Sequence, residues 1–249
     1  MTRCVLVVDE CSGGAIATPH DEGAGSCASE SSEPVRSVAR SHVGSLRSVT
    51  TCASRTRGHR TPLQNWKRRR ARRQSAVPRA AEGAELVIVS IPQKNVVDLP
   101  AGILSGAVAG APVIETNNYY PQQRDGLISA IEDGQTESGW VQEHLGVPVF
   151  KAFNGIWWKH LLEKGLPEGA EGRIALPIAG DDDANKQVVF DLINQLGFDP
   201  VDAGTIDDSW RQQPGTPVYG KDFDREATLK ALAEASPDRT DEWRATTTV

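Results

Sequence analysis

The sequence predicts an α/β fold built on a parallel sheet, and three observations carry that prediction. A largely apolar run at 86–91 ends in Pro92, as a strand buried on both faces does, and further strands are read at 113–116, before Asn117, and at 173–178, before Gly180. Amphipathic stretches with capping residues lie between and after these runs. Strands alternating with helices favour parallel pairing, because a crossover between parallel strands needs a long connection, usually a helix.

Each element follows from local chemistry. Glu-Leu-Val-Ile-Val-Ser-Ile-Pro at 85–92 gives the first strand of this region, and 113–116 the next. Thr136 or Ser138 can cap a helix running through His144 and ended by Gly146. A strand over 147–153 and a short helix over 156–162 follow. The strand at 173–178 leads through Gly180 into Asp181, Asp182 and Asp183. Val188, Val189, Leu192, Ile193 and Leu196 then form one helical stripe, closed by Gly197. A short strand at 200–203 and a helix over 225–235, with Leu229 and Leu232 inward, complete the pattern. Residues after Ser236 look frayed.

The front of the chain obeys other rules. Residues 34–80 hold 13 Lys/Arg and no Asp or Glu, whereas 81–249 hold 13 Lys/Arg and 27 Asp/Glu. All four cysteines, Cys4, Cys11, Cys27 and Cys52, fall in this front part, without a C-x-x-C pair, which argues against zinc. Cys4 to Val8 reads as a strand, but 9–80 has little periodic apolar pattern to offset its ordering entropy. Three readings stay open for this segment. It is a basic nucleic-acid arm centred on Trp66 and the 67–73 cluster, a plain disordered extension, or a stretch translated out of frame that rejoins near 80–83. The third accounts for most of the composition, and nucleic acid is the least supported partner. The resulting division is an atypical Arg/Ser-rich segment at 1–80, a dinucleotide-binding remnant at 81–146, and a C-terminal α/β region at 147–249 with a frayed tail. No apolar run approaches the roughly 20 residues that span a bilayer, and the acidic part lacks cysteine. A soluble, cytoplasmic protein is expected, and a homodimer is compatible with it.

Two strand ends carry candidate ligand chemistry. At the carboxyl edge of a parallel sheet, Ser90, Ile91 and Pro92 would stand where ligands bind, with the Ser90 hydroxyl free to hydrogen-bond. Asn117 and Asn118 follow the next strand at that edge, and paired amides can serve a ribose or a carboxamide. The plainer readings are a strand stopping at Pro92 and an Asx turn at Asn117.

Val-Ile-Val-Ser-Ile-Pro, Thr-Asn-Asn-Tyr-Tyr-Pro, Lys-Ala-Phe-Asn, Ala-Gly-Asp-Asp-Asp and Phe-Asp-Pro-Val-Asp-Ala-Gly occur in this order between 80 and 235. This series resembles the NADP-dependent oxidoreductases that use 8-hydroxy-5-deazaflavin (coenzyme F-420) and their bacterial dinucleotide-binding relatives. The run at 210–220 resembles the bacterial branch. The resemblance implies a Rossmann-like parallel sheet, its N-terminal half degraded or missing, with a small C-terminal α/β extension. It implies that Ser90, Ile91 and Pro92 lie against NADP and that Asn117 and Asn118 lie near the nicotinamide. Asn154, Gly155 and Ile156 would face the deazaflavin, although archaeal members have His-Thr-Ile there. Hydride would pass directly between the two rings, so no catalytic acid or base is expected.

The chain departs from that family at its front. Gly23, Gly25 and Ala28 match the G-x-G-x-x-A letters, but polar residues precede them where a strand is needed. Gly13 and Gly14 lie near the required distance from 4–8, but Asp9 and Glu10 would repel a pyrophosphate. Ser54-Arg55 matches the pair that holds a 2′-phosphate in the family, without an evident strand before it. A non-catalytic truncated or frame-shifted product is therefore the alternative function.

Other tempting groups have simpler uses. Asp181, Asp182 and Asp183 sit where carboxylates cap a helix, which explains them better than a metal does. His144 and His160 belong to no evident ligand set and are expected at the surface. Trp157 and Trp158 could line a flat-ring pocket, but burying one helix face is the simpler use.

Overall fold

The computed structural model describes residues 81–246 together with the strands Cys4–Val8 and Leu46–Thr50. The glycine candidates at 13–14 and 23–28, the Ser54-Arg55 pair and the arginine cluster at 67–73 lie outside the described residues.

Five strands form one parallel sheet: β1 (Cys4–Val8), β2 (Leu46–Thr50), β3 (Leu86–Ser90), β4 (Val113–Glu115) and β5 (Phe150–Lys151). Their spatial order is β2-β1-β3-β4-β5. The chain moves outward from β1 to β2, then returns to place β3 on the other side of β1, with Cys4 opposite both Leu46 and Leu86. That reversal makes the β1/β3 boundary the topological switch point of a Rossmann-like sheet. β2 corrects the sequence reading, which saw no strand ahead of Ser54. Leu46–Thr50 has only two large apolar residues, a pattern too polar to stand out locally.

β3 is a continuous apolar run because both its faces are covered. Leu86 and Ile88 join Ile114 and Phe150 on one face, while Val87 and Val89 join Val113 and Val149 on the other. The second face packs on Val141 and Trp140 of helix α2 (Glu137–Leu145) and on Ile131 of the short helix α1 (Ser129–Glu132). Thr136 caps α2 by accepting the Gly139 N–H, and Gly146 closes it in the left-handed conformation, as expected.

A second, two-stranded parallel sheet follows helix α3 (Trp158–Glu163). It consists of β6 (Ala175–Ile178) and β7 (Asp199–Asp202), joined by α4 (Asp183–Gln195) and covered by α5 (Arg225–Ala233). Val189, Ile193, Leu196 and Phe198 meet Leu86, Ile114 and Phe150 in one core. An antiparallel bridge between Lys151 and Ala179 joins the sheets.

Several expected elements shrink or turn. The strand expected at 147–153 is reduced to Phe150–Lys151, since Pro148 offers no N–H and Phe153 takes a positive φ of 62°. The strand expected from 173 begins at Ala175. Arg173 is instead a buried tie, bonded to the Leu166 and Asn194 carbonyls and, at 2.6 Å, to Asp199. Leu229 and Val188 are exposed; Thr228, Ala231 and Leu232 form the buried face of α5. Trp157 is exposed too, so it does not bury the helix face assigned to it. The tail after α5 does not fray through 246 but packs back on the turn Pro121–Asp125 and on α1 and α2.

Candidate cofactor site

β3, β4 and β5 run parallel, so their carboxyl ends bring three distant sequence segments to one edge. Six of the eight expected site residues are tied into hydrogen-bonded neighbours there or lead directly from them. The Ile91 N–H donates to Asn117 Oδ1 at 3.1 Å, and the Thr116 hydroxyl donates to Ser90 Oγ at 2.9 Å. Asn118 and Asn154 pair reciprocally: Asn118 Nδ2 donates to the Asn154 carbonyl at 2.9 Å, and Asn154 Nδ2 donates to Asn118 Oδ1 at 3.1 Å. Pro92 is buried and opens the 3₁₀ turn Gln93–Asp98. The positive φ of Phe153 turns the chain just before Asn154.

Gly155 and Ile156 continue toward α3. The Gly155 carbonyl accepts the Gly220 N–H at 3.0 Å, which brings Tyr219 alongside. Ile156 packs against the core shared by the two sheets.

Asn117 carries a spare buried group, as do Gln93 and Gln212 beside it, whose Oε1 atoms lack hydrogen-bond partners among the described residues. The Asn117 Oδ1 must face the Ile91 N–H, because only an oxygen can accept that bond. Nδ2 is thereby left as a donor, and it is buried with no hydrogen-bond partner among the described residues. A buried donor without an acceptor costs about 1–3 kcal/mol.

Beneath the edge lies a buried ionic cluster that the sequence did not disclose. Lys151 and Glu115 are fully buried and stand 3.2 Å apart. The Lys151 ammonium also donates to the Asn117 carbonyl at 3.0 Å and lies 3.6 Å from Glu137. Glu115 accepts the Asn117 N–H at 2.8 Å and the Ser138 hydroxyl. Glu137 accepts the Tyr119 N–H at 3.3 Å and pairs with Arg239 at 2.6 Å. Two carboxylates thus meet two cations, a balance that burial requires. Burial pushes the Glu137 carboxyl above its ordinary range, against the opposing charges of Lys151 and Arg239.

Aromatic hydroxyls border the Asn118–Asn154 pair. Tyr120 and Tyr219 share a hydrogen bond, and Arg124 stacks 4.9 Å from the centre of the Tyr120 ring. Burial raises the pKa of both hydroxyls, and it pushes that of Tyr119 to about 12. All three stay protonated at neutral pH and serve as hydrogen-bond partners, not bases.

The aspartate run behaves as capping chemistry demands. Asp182 caps α4 through the Asn185 N–H at 3.1 Å, and Asp181 accepts the Ile206 N–H at 3.0 Å. His144 is exposed, while His160 is half-buried and pairs with Asp222 at 2.7 Å. Among the described residues no group of three or more His, Cys, Asp or Glu could hold a metal ion, and no helix is long and apolar enough to cross a membrane.

No family model matches this chain. A 67-residue stretch, 27% of the chain, is 52% identical to "Putative protein YjhV" of Escherichia coli K12 and spans about half, 49%, of that protein. The solved structure of a hypothetical protein, SMa0349 from Sinorhizobium meliloti, is 21% identical and superposes with a TM-score of 0.56. The match covers 90% of this chain and 96% of that one, so the two share a fold. A "putative F420 dependent NADP-reductase" from Arthrobacter sp. FB24 is 18% identical, with a TM-score of 0.45, over 83% of this chain and 86% of that one.

Proposed function

We propose that this chain is an NADP-linked oxidoreductase of the deazaflavin-dependent kind, acting on small molecules at the carboxyl edge of its parallel sheet. The observation that carries the reading is Asn117. It stands at the end of β4, next to Ile91 at the end of β3, with a buried amide donor that a nicotinamide carboxamide oxygen would satisfy.

In this reading the strand ends would hold the nicotinamide end of such a cofactor. Ser90, Ile91 and Pro92 would hold it from one strand end, and Asn117 and Asn118 from the next. Asn154, Gly155 and Ile156 would border the deazaflavin or a similar acceptor. The dinucleotide supplies the hydride when bound. The chain's own residues orient the rings, exclude water and keep buried groups paired. Orientation alone can carry much of such a reaction, because proximity removes a large entropic part of the barrier. The neutral hydroxyls of Tyr120 and Tyr219 suit this task, since they offer hydrogen bonds without competing for protons. In this reading 81–146 serves the dinucleotide and 147–249 the acceptor.

The test is a titration of the whole chain with NADPH, followed by tryptophan fluorescence, with NADH as comparison. Saturable binding favouring NADPH, weakened at least tenfold in Asn117→Ala, supports the reading. An absence of saturation at millimolar NADPH, equivalent to less than about 4 kcal/mol of binding, overturns it. Hydride transfer to a deazaflavin, followed by its absorbance, then identifies the acceptor.

A further inference from the structure

The tail beyond α5 returns over the turn Pro121–Asp125 and the helices α1 and α2, and it is tied down at several separate places. The Gln122 side-chain amide donates to the Asp241 and Arg244 carbonyls at 2.9 and 3.1 Å. The Ala245 N–H donates to Glu132 at 2.9 Å. The Trp243 ring lies 6.0 Å from Tyr120 and 6.4 Å from Tyr219. Gly215 permits that approach: a Cβ there would stand 2.6 Å from Trp243 Cδ1. Arg239 reaches deepest, bonding Glu137 at 2.6 Å and Gln213 at 3.0 Å.

We infer that the tail at 236–246 is a strap and that its Arg239 is a positioning residue for the Asn117–Asn118 turn. The path is short and continuous. Arg239 holds one oxygen of Glu137, and the other oxygen accepts the Tyr119 N–H and faces Lys151. Lys151 holds the Asn117 carbonyl, and Glu115 holds the Asn117 N–H. Both backbone groups of Asn117 therefore depend on the buried cluster. Without Arg239, two buried carboxylates share one ammonium, and the balance that keeps Lys151 on Asn117 is lost. The turn presenting the Asn117 amide is then held at one end only. The strap thereby couples the last residues of the chain to a site more than 100 positions earlier.

The consequence for NADPH rests on the function proposed above, so the experiment separates the two. Amide hydrogen exchange is measured on the whole chain for wild type, Arg239→Met, Arg239→Lys and the double variant Glu137→Gln/Arg239→Met. In R239M, exchange at Asn117 and Tyr119 accelerates about tenfold or more, while exchange in β6 and α4 changes less than about twofold, as local opening requires. R239K is intermediate. The double variant slows exchange at 117–119 again, because removing the stranded charge removes the cause. A purely packing role for Arg239 would show no such rescue. Unchanged exchange at 117–119 in R239M, an equal rise across both sheets, or no rescue by E137Q each overturns the inference. NADPH titration of the same variants reads the coupling to binding. If wild type does not bind NADPH while the exchange pattern holds, the cofactor reading fails and the strap stands.

Discussion

Replacing Lys151 by methionine tests the buried cluster at its centre. Methionine keeps most of the aliphatic stem, so the packing of the Lys151 methylenes is largely preserved. What disappears is the charge 3.2 Å from Glu115 and 3.6 Å from Glu137, and the bond to the Asn117 carbonyl at 3.0 Å. All three side chains of this core are fully buried, so the two carboxylates are left with only Arg239 to oppose them. Removing one partner of a buried pair typically costs about 3–5 kcal/mol, a large share of the roughly 5–15 kcal/mol that stabilises a folded domain. Urea unfolding followed by tryptophan fluorescence reads this directly, and with a denaturant slope near 3 kcal/mol per molar the midpoint falls by about 1–2 M. The deficit carries a pH signature. Burial already raises the Glu137 pKa above its ordinary 4.5, and losing Lys151 removes the largest opposing charge. The folded variant then binds a proton that the unfolded chain, in the window above pH 4.5, does not. Its stability gains as pH falls from 7 toward 4.5, and the deficit against wild type shrinks. A loss below about 1 kcal/mol at pH 7, or a deficit of equal size at pH 7 and pH 5, would refute the argument.

Three further outcomes are expected. Gly180→Ala places a Cβ 2.3 Å from Cδ1 of the buried Phe150 ring, so it should lower stability by about 1–3 kcal/mol in thermal unfolding; an unchanged Tm would mean that the ring yields freely. Asp182→Ala removes the α4 cap and should cost about 1 kcal/mol, against a few tenths for Asp183→Ala, whose carboxylate acts only through the helix dipole; equal losses would deny the cap. Burial alone would raise the Asp222 pKa, but hydrogen bonds and charge from Lys164 and His160 outweigh it and hold the carboxyl below its ordinary 3.8. Its stabilising contribution is present above pH 3.8 and lost as pH falls through the lowered value, so the cost of Asp222→Asn should be constant near pH 5 and vanish in strong acid; a cost that grows as pH falls would show the sign to be wrong.

Local chemistry in the sequence determined most of the elements after residue 80. The run at 85–92 reads as a doubly buried strand because both faces of β3 are covered, and that demands apolar residues at successive positions. Thr136, Gly146 and Asp182 were legible as caps because a helix end must satisfy free N–H and carbonyl groups within one turn. The carboxyl-edge location of Ser90 and Asn117 followed from parallel strands alone, for in a parallel sheet all the strand ends share one side. Tertiary structure decided everything that depends on pairing across distance. Glu115, Glu137, Lys151 and Arg239 look like ordinary surface charges in the sequence. Their burial depends on partners 36 and 102 positions apart. Leu229 faces outward because α5 turns Thr228 and Leu232 inward, a choice of helix phase that the residue pattern leaves open. β2, with its polar sequence, earns its place through a backbone ladder to β1, and the tail after Ser236 through its bonds to Gln122, Glu132 and Glu137. Local pattern records which face of an element avoids water. It does not record which distant charge will neutralise a buried one, since that balance exists only once the strands are side by side.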